Sequence, residues 1–219
     1  MLFRLVGLAA RRRLRLRSSG RFGRDRGDLG TPAYLTTVIR LPEHVTRGVL
    51  DALAPLSTSH PTHHHYPPEA IHLTVLGLGG HPLEGHGART RVALALKGRR
   101  PFEVRVRGLG LSPSTVFVKL YPRGPELSRM RRALRAMEPA AGGGPLALRR
   151  PLAPLVRRLA FANVVRFAGP VDPALVTAVQ RLDGHDFGAF WVREVELVRA
   201  DKVLSPASTT VLERYPLGP

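Results

Sequence analysis

The chain has 219 residues, with 34 Lys and Arg against 16 Asp and Glu for a formal net charge of +18, and it has no cysteine. That length buries one large core or two small lobes. The missing Cys excludes disulfides, thiolate metal sites and a Cys nucleophile, and it fits a reducing, cytoplasmic compartment. Hydrophobic residues make up 43% of the sequence, yet none of the apolar runs approaches the roughly 18–20 residues that cross a bilayer, so no membrane partner is expected.

The cations are nearly all Arg, and such a field attracts polyanions, nucleic acid first among them. A GC-rich coding sequence also favours Arg, Gly, Pro and Ala, which accounts for part of the bias. Aromatic residues are only 6%, which argues against a broad base-stacking platform.

Residues 1–33 read as a disordered Arg-rich arm. Arg11, Arg12, Arg13, Arg15, Arg17, Arg21, Arg24 and Arg26 are mixed with Ser and Gly, too polar to build a core and suited to phosphate contacts. Order is expected from Tyr34. Tyr34–Leu41 is β-branched and stops at Pro42, a strand. Glu43–Leu56 is amphipathic, with Val45, Val49, Leu50 and Leu53 on one side, a helix. Ser57–Pro68 is a loop holding His60, His63, His64 and His65, read as the rim of a cleft. Three adjacent His side chains diverge, so no metal site is assigned to them.

Ala70–Gly79 is a second strand, and Leu83–Lys97 contains a helix stopped near Gly98. Phe102–Arg107 alternates as a strand, Gly108–Ser114 turns the chain, and Thr115–Tyr121 is the next strand. Glu126–Met137 is a basic amphipathic helix ended by Pro139. Ala140–Pro145 is a Gly-rich loop with no Lys-Ser or Lys-Thr after it, so it is not a P-loop. Leu159–Phe167 is a strand, and Asp172 with Pro173 caps a helix running to Leu182. Strands at Phe190–Val198 and Thr209–Leu217 close the chain.

The stretch Ile71-His72-Leu73-Thr74-Val75 carries the chemistry. Successive side chains of a strand face opposite ways, so His72 and Thr74 share one face. An imidazole beside a hydroxyl suits phosphoryl chemistry, the first moving a proton and the second binding an oxyanion. A solvent-open hollow in front of His72 is therefore expected. The same pattern also accommodates a structural histidine, and the motif alone does not separate the two.

The order of elements is nearly one unit written twice. Together with His72-Leu73-Thr74 after a Pro-rich loop, and with the closing Val195-Glu-Leu-Val-Arg-Ala-Asp-Lys-Val-Leu-Ser-Pro206 and Val211–Leu217 segments, it resembles the 2H phosphoesterase superfamily and, within it, the 2′-5′ RNA ligase-like proteins. The resemblance covers nearly everything from Tyr34 to Leu217. It implies an α+β fold over 34–219, in which interleaved lobes of roughly 34–110 and 111–219 present antiparallel sheets to a central cleft. It also implies a chain that needs no cofactor and acts as a monomer on RNA or nucleotide 2′,3′-cyclic phosphates or 2′-5′ phosphodiesters.

Two His-x-Thr motifs, one per lobe, form the catalytic design of that family. His72 and Thr74 fit the first. The second aligns with Phe161-Ala-Asn163-Val-Val-Arg166, in which Asn163 and Arg166 retain phosphate-binding capacity while Phe161 has no proton to exchange. The second motif is thus degenerate, unless His63, His64, His65 or His185 reaches the cleft. Two functions follow: a weakened phosphodiesterase, or a non-catalytic RNA or nucleotide binding module that kept the cleft and lost the chemistry.

Overall fold

A computed structural model describes residues 34–79, 86–137 and 159–218; the expectations for the Arg-rich arm and for the Gly-rich loop at 140–145 lie outside the described residues. In chain order the elements are β1 (Tyr34–Arg40), α1 (Glu43–Ser59), β2 (His64–His65), β3 (His72–Gly79), α2 (His86–Leu96), β4 (Phe102–Leu111), β5 (Thr115–Pro122), α3 (Glu126–Ala136), β6 (Ala160–Arg166), α4 (Pro173–Arg181), β7 (Asp186–Val192), β8 (Glu194–Ala200) and β9 (Thr210–Pro216). The expected cap of α4 is present, the Asp172 Oδ1 accepting from Ala174 N at 2.7 Å ahead of Pro173.

The strands form one nine-stranded sheet in the order β7-β4-β5-β6-β3-β1-β8-β9, with β2 beside β6, and the pairings are antiparallel. At its middle, β3 and β6 meet at one pair, Leu73 opposite Ala162. On one side of this seam α1 packs against β7 and α4 against β4; on the other α3 packs against β3 and α2 against β9. The molecule is α+β with two halves joined at the strands that carry the two motif segments.

Val164, Ala162, Val116, Val118 and Val104 of one half and Leu73, Val75, Ile39, Val195 and Leu197 of the other are buried in one core with Val45, Val49 and Leu53 of α1 and Met130 of α3. Apolar side chains on this face drive the association, at roughly 25 cal/mol per Å² of apolar surface removed from water. The opposite face of the central strands is polar.

Phe190–Val198 is not the single strand expected. The chain breaks at Arg193 into β7 and β8; β7 is one end of the strand order and β8 is next to the other end, inside β9. One intervening residue spans at most about 7 Å between the flanking Cα atoms. The end of β7 and the start of β8 must therefore lie close together although six strand positions separate them in the sheet, so the sheet is strongly curved. The reason is local: inward positions run Phe190, Val192 and then Val195, Leu197, a slip of phase at Arg193 that a continuous strand cannot make. The loop expected at Ser57–Pro68 also holds the short strand β2, whose His64 and His65 pair with Arg166 and Val165.

Candidate active site

Residues directly opposite each other in an antiparallel pair point the same way. From the pair Leu73 and Ala162, His72 adjoins Asn163 and Thr74 adjoins Phe161, all on the face away from the core. On the neighbouring strands the same face carries Arg40, opposite His72, and Phe117 and Lys119, opposite Asn163 and Phe161. The structure thus brings His72, Thr74, Phe161 and Asn163 together at the seam.

Arg166 is three residues beyond Asn163, and strict alternation would turn it into the core. A bulge prevents this. Val116 pairs with Val165 and Phe117 with Asn163, which leaves Val164 unmatched, so Thr115 and Arg166 return to the polar face. The partner motif has the same irregularity at the same place: Thr37 pairs with Leu76 and Val38 with Thr74, skipping Val75. Thr37 fixes that bulge, its Oγ1 donating to Leu76 O at 3.0 Å and accepting from Leu76 N at 3.2 Å. Sequence spacing gave no sign of either bulge, because both depend on cross-strand register.

His72 is only 8% exposed, which corrects the expectation of a solvent-open imidazole. Its Nδ1 donates to Ala70 O at 2.7 Å, which leaves the Nε2 lone pair free to accept a proton. Burial pushes its pKa down to about 4, the bond to Ala70 works in the other direction, and the Arg40 charge adds to the fall. The ring is therefore neutral at pH 7. Arg40 is itself held by Glu196, Nε to Oε2 at 2.9 Å. Asn163 has a buried Oδ1 with no hydrogen-bond partner among the described residues; rotation of the amide presents either its acceptor or its donors there.

A second group of polar residues surrounds Arg166. His64 is its cross-strand partner, and burial followed by the Arg166 charge lowers the His64 pKa. Burial raises the pKa of Tyr66 and of Tyr34, with Arg166 opposing both. Asp201 acts on all three from the loop after β8. That carboxylate is fixed by Val203 N and Ser205 N, both at 3.0 Å, and by the Ser205 hydroxyl. The same loop drops Leu204 onto Val38, Val198 and Ala200 as a small apolar cluster on the polar side of the sheet.

His63, His65 and His185 do not reach this face. His63 stacks on His60 and meets Phe167 edge-on, with centroids 6.2 and 5.3 Å apart. Both ring nitrogens of His65 are engaged, by Ser57 Oγ at 3.0 Å and His60 O at 3.1 Å. His185 is exposed beside Phe187. Phe161 packs on Phe117 at 5.2 Å.

Three contributors were not singled out from sequence: Arg40, Tyr66 and Arg131. Arg131 is a buried cation of α3 that donates to Thr74 O and Val75 O at 3.0 Å and to Leu159 O at 2.9 Å. It bridges the two motif strands where their own ladder lapses. Burial lowers its pKa to about 10, so it stays charged. The spacing of a basic amphipathic helix gives no hint that one of its Arg residues points inward.

No family model matches the sequence, and no curated protein matches it. Solved structures do. TT0787 of Thermus thermophilus is 24% identical, with a TM-score of 0.62 over 84% of this chain and 97% of that one. LigT of E. coli complexed with 3′-AMP is 17% identical, with a TM-score of 0.57 over 86% and 99%. A phosphoesterase is 20% identical, with a TM-score of 0.56 over 86% and 100%. The chain therefore has the fold of TT0787 and of E. coli LigT.

Proposed function

We propose that this protein is a phosphodiesterase acting on RNA ends or nucleotides, with 2′,3′-cyclic phosphates or 2′-5′ phosphodiesters as substrates. The observation that carries the reading is the neutral His72, its Nδ1 committed to Ala70 O, beside the Asn163 amide, whose buried oxygen has no partner among the described residues, on one face. His72 Nε2 takes the proton of the attacking water or hydroxyl. Thr74 and Asn163 donate to the non-bridging phosphate oxygens, and Arg166 supplies positive charge as negative charge develops. Proton transfer from the attacking group to the imidazole does this work and needs no cofactor. The capture of 3′-AMP, phosphate, NADP+ and ATP by the LigT structures supports a nucleotide-sized phosphate ligand.

A second reading is a non-catalytic RNA or nucleotide binding module. Phe161 favours it, because the position equivalent to His72 has no proton to give. Incubation with a panel of 2′,3′-cyclic nucleotides and a 2′-5′ dinucleotide separates the two. The phosphodiesterase turns substrate over and loses turnover in His72→Ala. Binding without turnover in the wild type, surviving in His72→Ala, establishes the module.

A further inference from the structure

We propose that His64 is the second proton-transfer residue of this site, donating to the leaving ribose oxygen while His72 accepts the proton of water; this rests on the phosphodiesterase reading above. The argument starts from β6. Asn163 and Arg166 reach the polar face from that strand, on either side of the Val164 bulge. His72 adjoins Asn163 along one edge of β6, and His64 is paired with Arg166 along the same edge. The two imidazoles are thus offset by three residues of β6, roughly 10 Å between Cα atoms at about 3.3 Å per residue. A phosphoryl group held by Asn163 and Arg166 lies between them.

His64 alone among its neighbours is available. His63 is stacked between His60 and Phe167, and both His65 nitrogens are bonded. The Nε2 of His64 is buried without a hydrogen-bond partner among the described residues. Such a group costs folding free energy and persists where a ligand supplies the missing partner. The Tyr66 ring meets His64 edge-on at 5.0 Å and orients it.

The groups facing His64 are Arg166 from β6, Asp201 from the loop after β8, and His65 from its own strand. Arg166 and burial keep it neutral in the unliganded protein. A bound phosphodiester anion opposes Arg166 and draws a proton onto the ring.

For a 2′,3′-cyclic phosphate the step balances. The water oxygen bonds to phosphorus, and its proton passes to His72 Nε2. The bond from phosphorus to one ribose oxygen breaks, and that oxygen's electron pair takes the proton of His64. The imidazoles end with their protonation states exchanged, and solvent resets them.

The test compares kcat for 2′,3′-cyclic AMP across pH 5–8 in wild type, His64→Gln, His65→Gln and Phe161→His. His64→Gln is expected to lower kcat about 10²–10⁴-fold and to abolish the decline of kcat toward high pH. His65→Gln keeps that decline, and Phe161→His restores turnover when added to His64→Gln. Wild-type turnover with an unchanged pH profile in His64→Gln overturns the role of His64 and leaves the phosphodiesterase. Turnover only after Phe161→His does the same. No turnover by any variant overturns both. Should His64→Gln fail to fold, imidazole NMR of the wild type decides: a His64 pKa that rises on adding 3′-AMP supports the assignment, and one that does not move overturns it.

Discussion

His72 shows how a single residue ties the site to the stability of the fold. Its folded pKa is about 4, against about 6.5 in an unfolded chain. Between those values the unfolded chain holds more protons than the folded one, so stability rises with pH and falls as pH drops. The full difference is about 3 kcal/mol, present above pH 6.5 and lost by about pH 4. His63 and His64 are lowered in the same direction and add to the slope. Urea unfolding at pH 7 and pH 4.5 measures it. The wild type loses stability on acidification, and His72→Gln, which has no ring to protonate, loses about 2–3 kcal/mol less over the same interval. Equal losses in the two proteins would mean that His72 is far more hydrated than its 8% exposure implies.

At the scale of elements, the site depends on how β3 and β6 are held where they barely pair. Arg131 reaches across the core to Thr74 O, Val75 O and Leu159 O and so ties the β3 bulge to the residue before β6. Arg131→Met removes these donors from buried carbonyls, at about 1–3 kcal/mol each. Thermal unfolding is expected to report a loss of at least about 3 kcal/mol. In any variant population that remains folded, kcat falls more than KM rises, because Thr74 and Asn163 lose their fixed spacing.

The cores of the strands were legible, Tyr34–Arg40 from its β-branched residues and Phe102–Arg107 from its alternation; the turn expected at Gly108–Ser114 is instead the continuation of β4 as far as Leu111, which Gly108 and Gly110 disguise. The pairing of His72 with Thr74 was legible from strand alternation, whereas Asn163 was expected beside them only through the resemblance to the two-motif family. The paths of Arg166 and Arg131 were not, since a bulge and an inward cation are decided by neighbours far away in sequence. The break at Arg193 left a trace in the phase slip from Val192 to Val195, yet the apolar pattern on both sides of it reads as one strand. His64 was indistinguishable from His63 and His65 until β2 paired with β6, because two residues of strand carry no periodicity.

At the scale of the molecule, charge and enclosure act on different parts of a substrate. On the polar face around the buried His72, Arg40 is committed to Glu196 and Lys119 to Asp183, so much of its charge is locally balanced. Residues 1–33 hold nine Arg and two Asp, +7 of the +18. If that segment serves RNA, it acts through phosphates rather than through the reacting bond. Each phosphate contact on a single strand contributes about 0.7 to the slope of log K against log salt. Deleting residues 1–33 is therefore expected to reduce that slope by up to about 6 for a single-stranded RNA of about twenty nucleotides. Turnover of a cyclic mononucleotide, which presents one phosphate to the site and none beyond it, stays as it was. Fluorescence anisotropy across a salt series and a mononucleotide assay, run on the full chain and on residues 34–219, measure the two effects separately. An unchanged slope would assign the Arg bias of this segment to coding composition. A lost slope with turnover retained would show that the chain divides its labour between a charged segment that holds RNA and an enclosed face that reacts with one end of it.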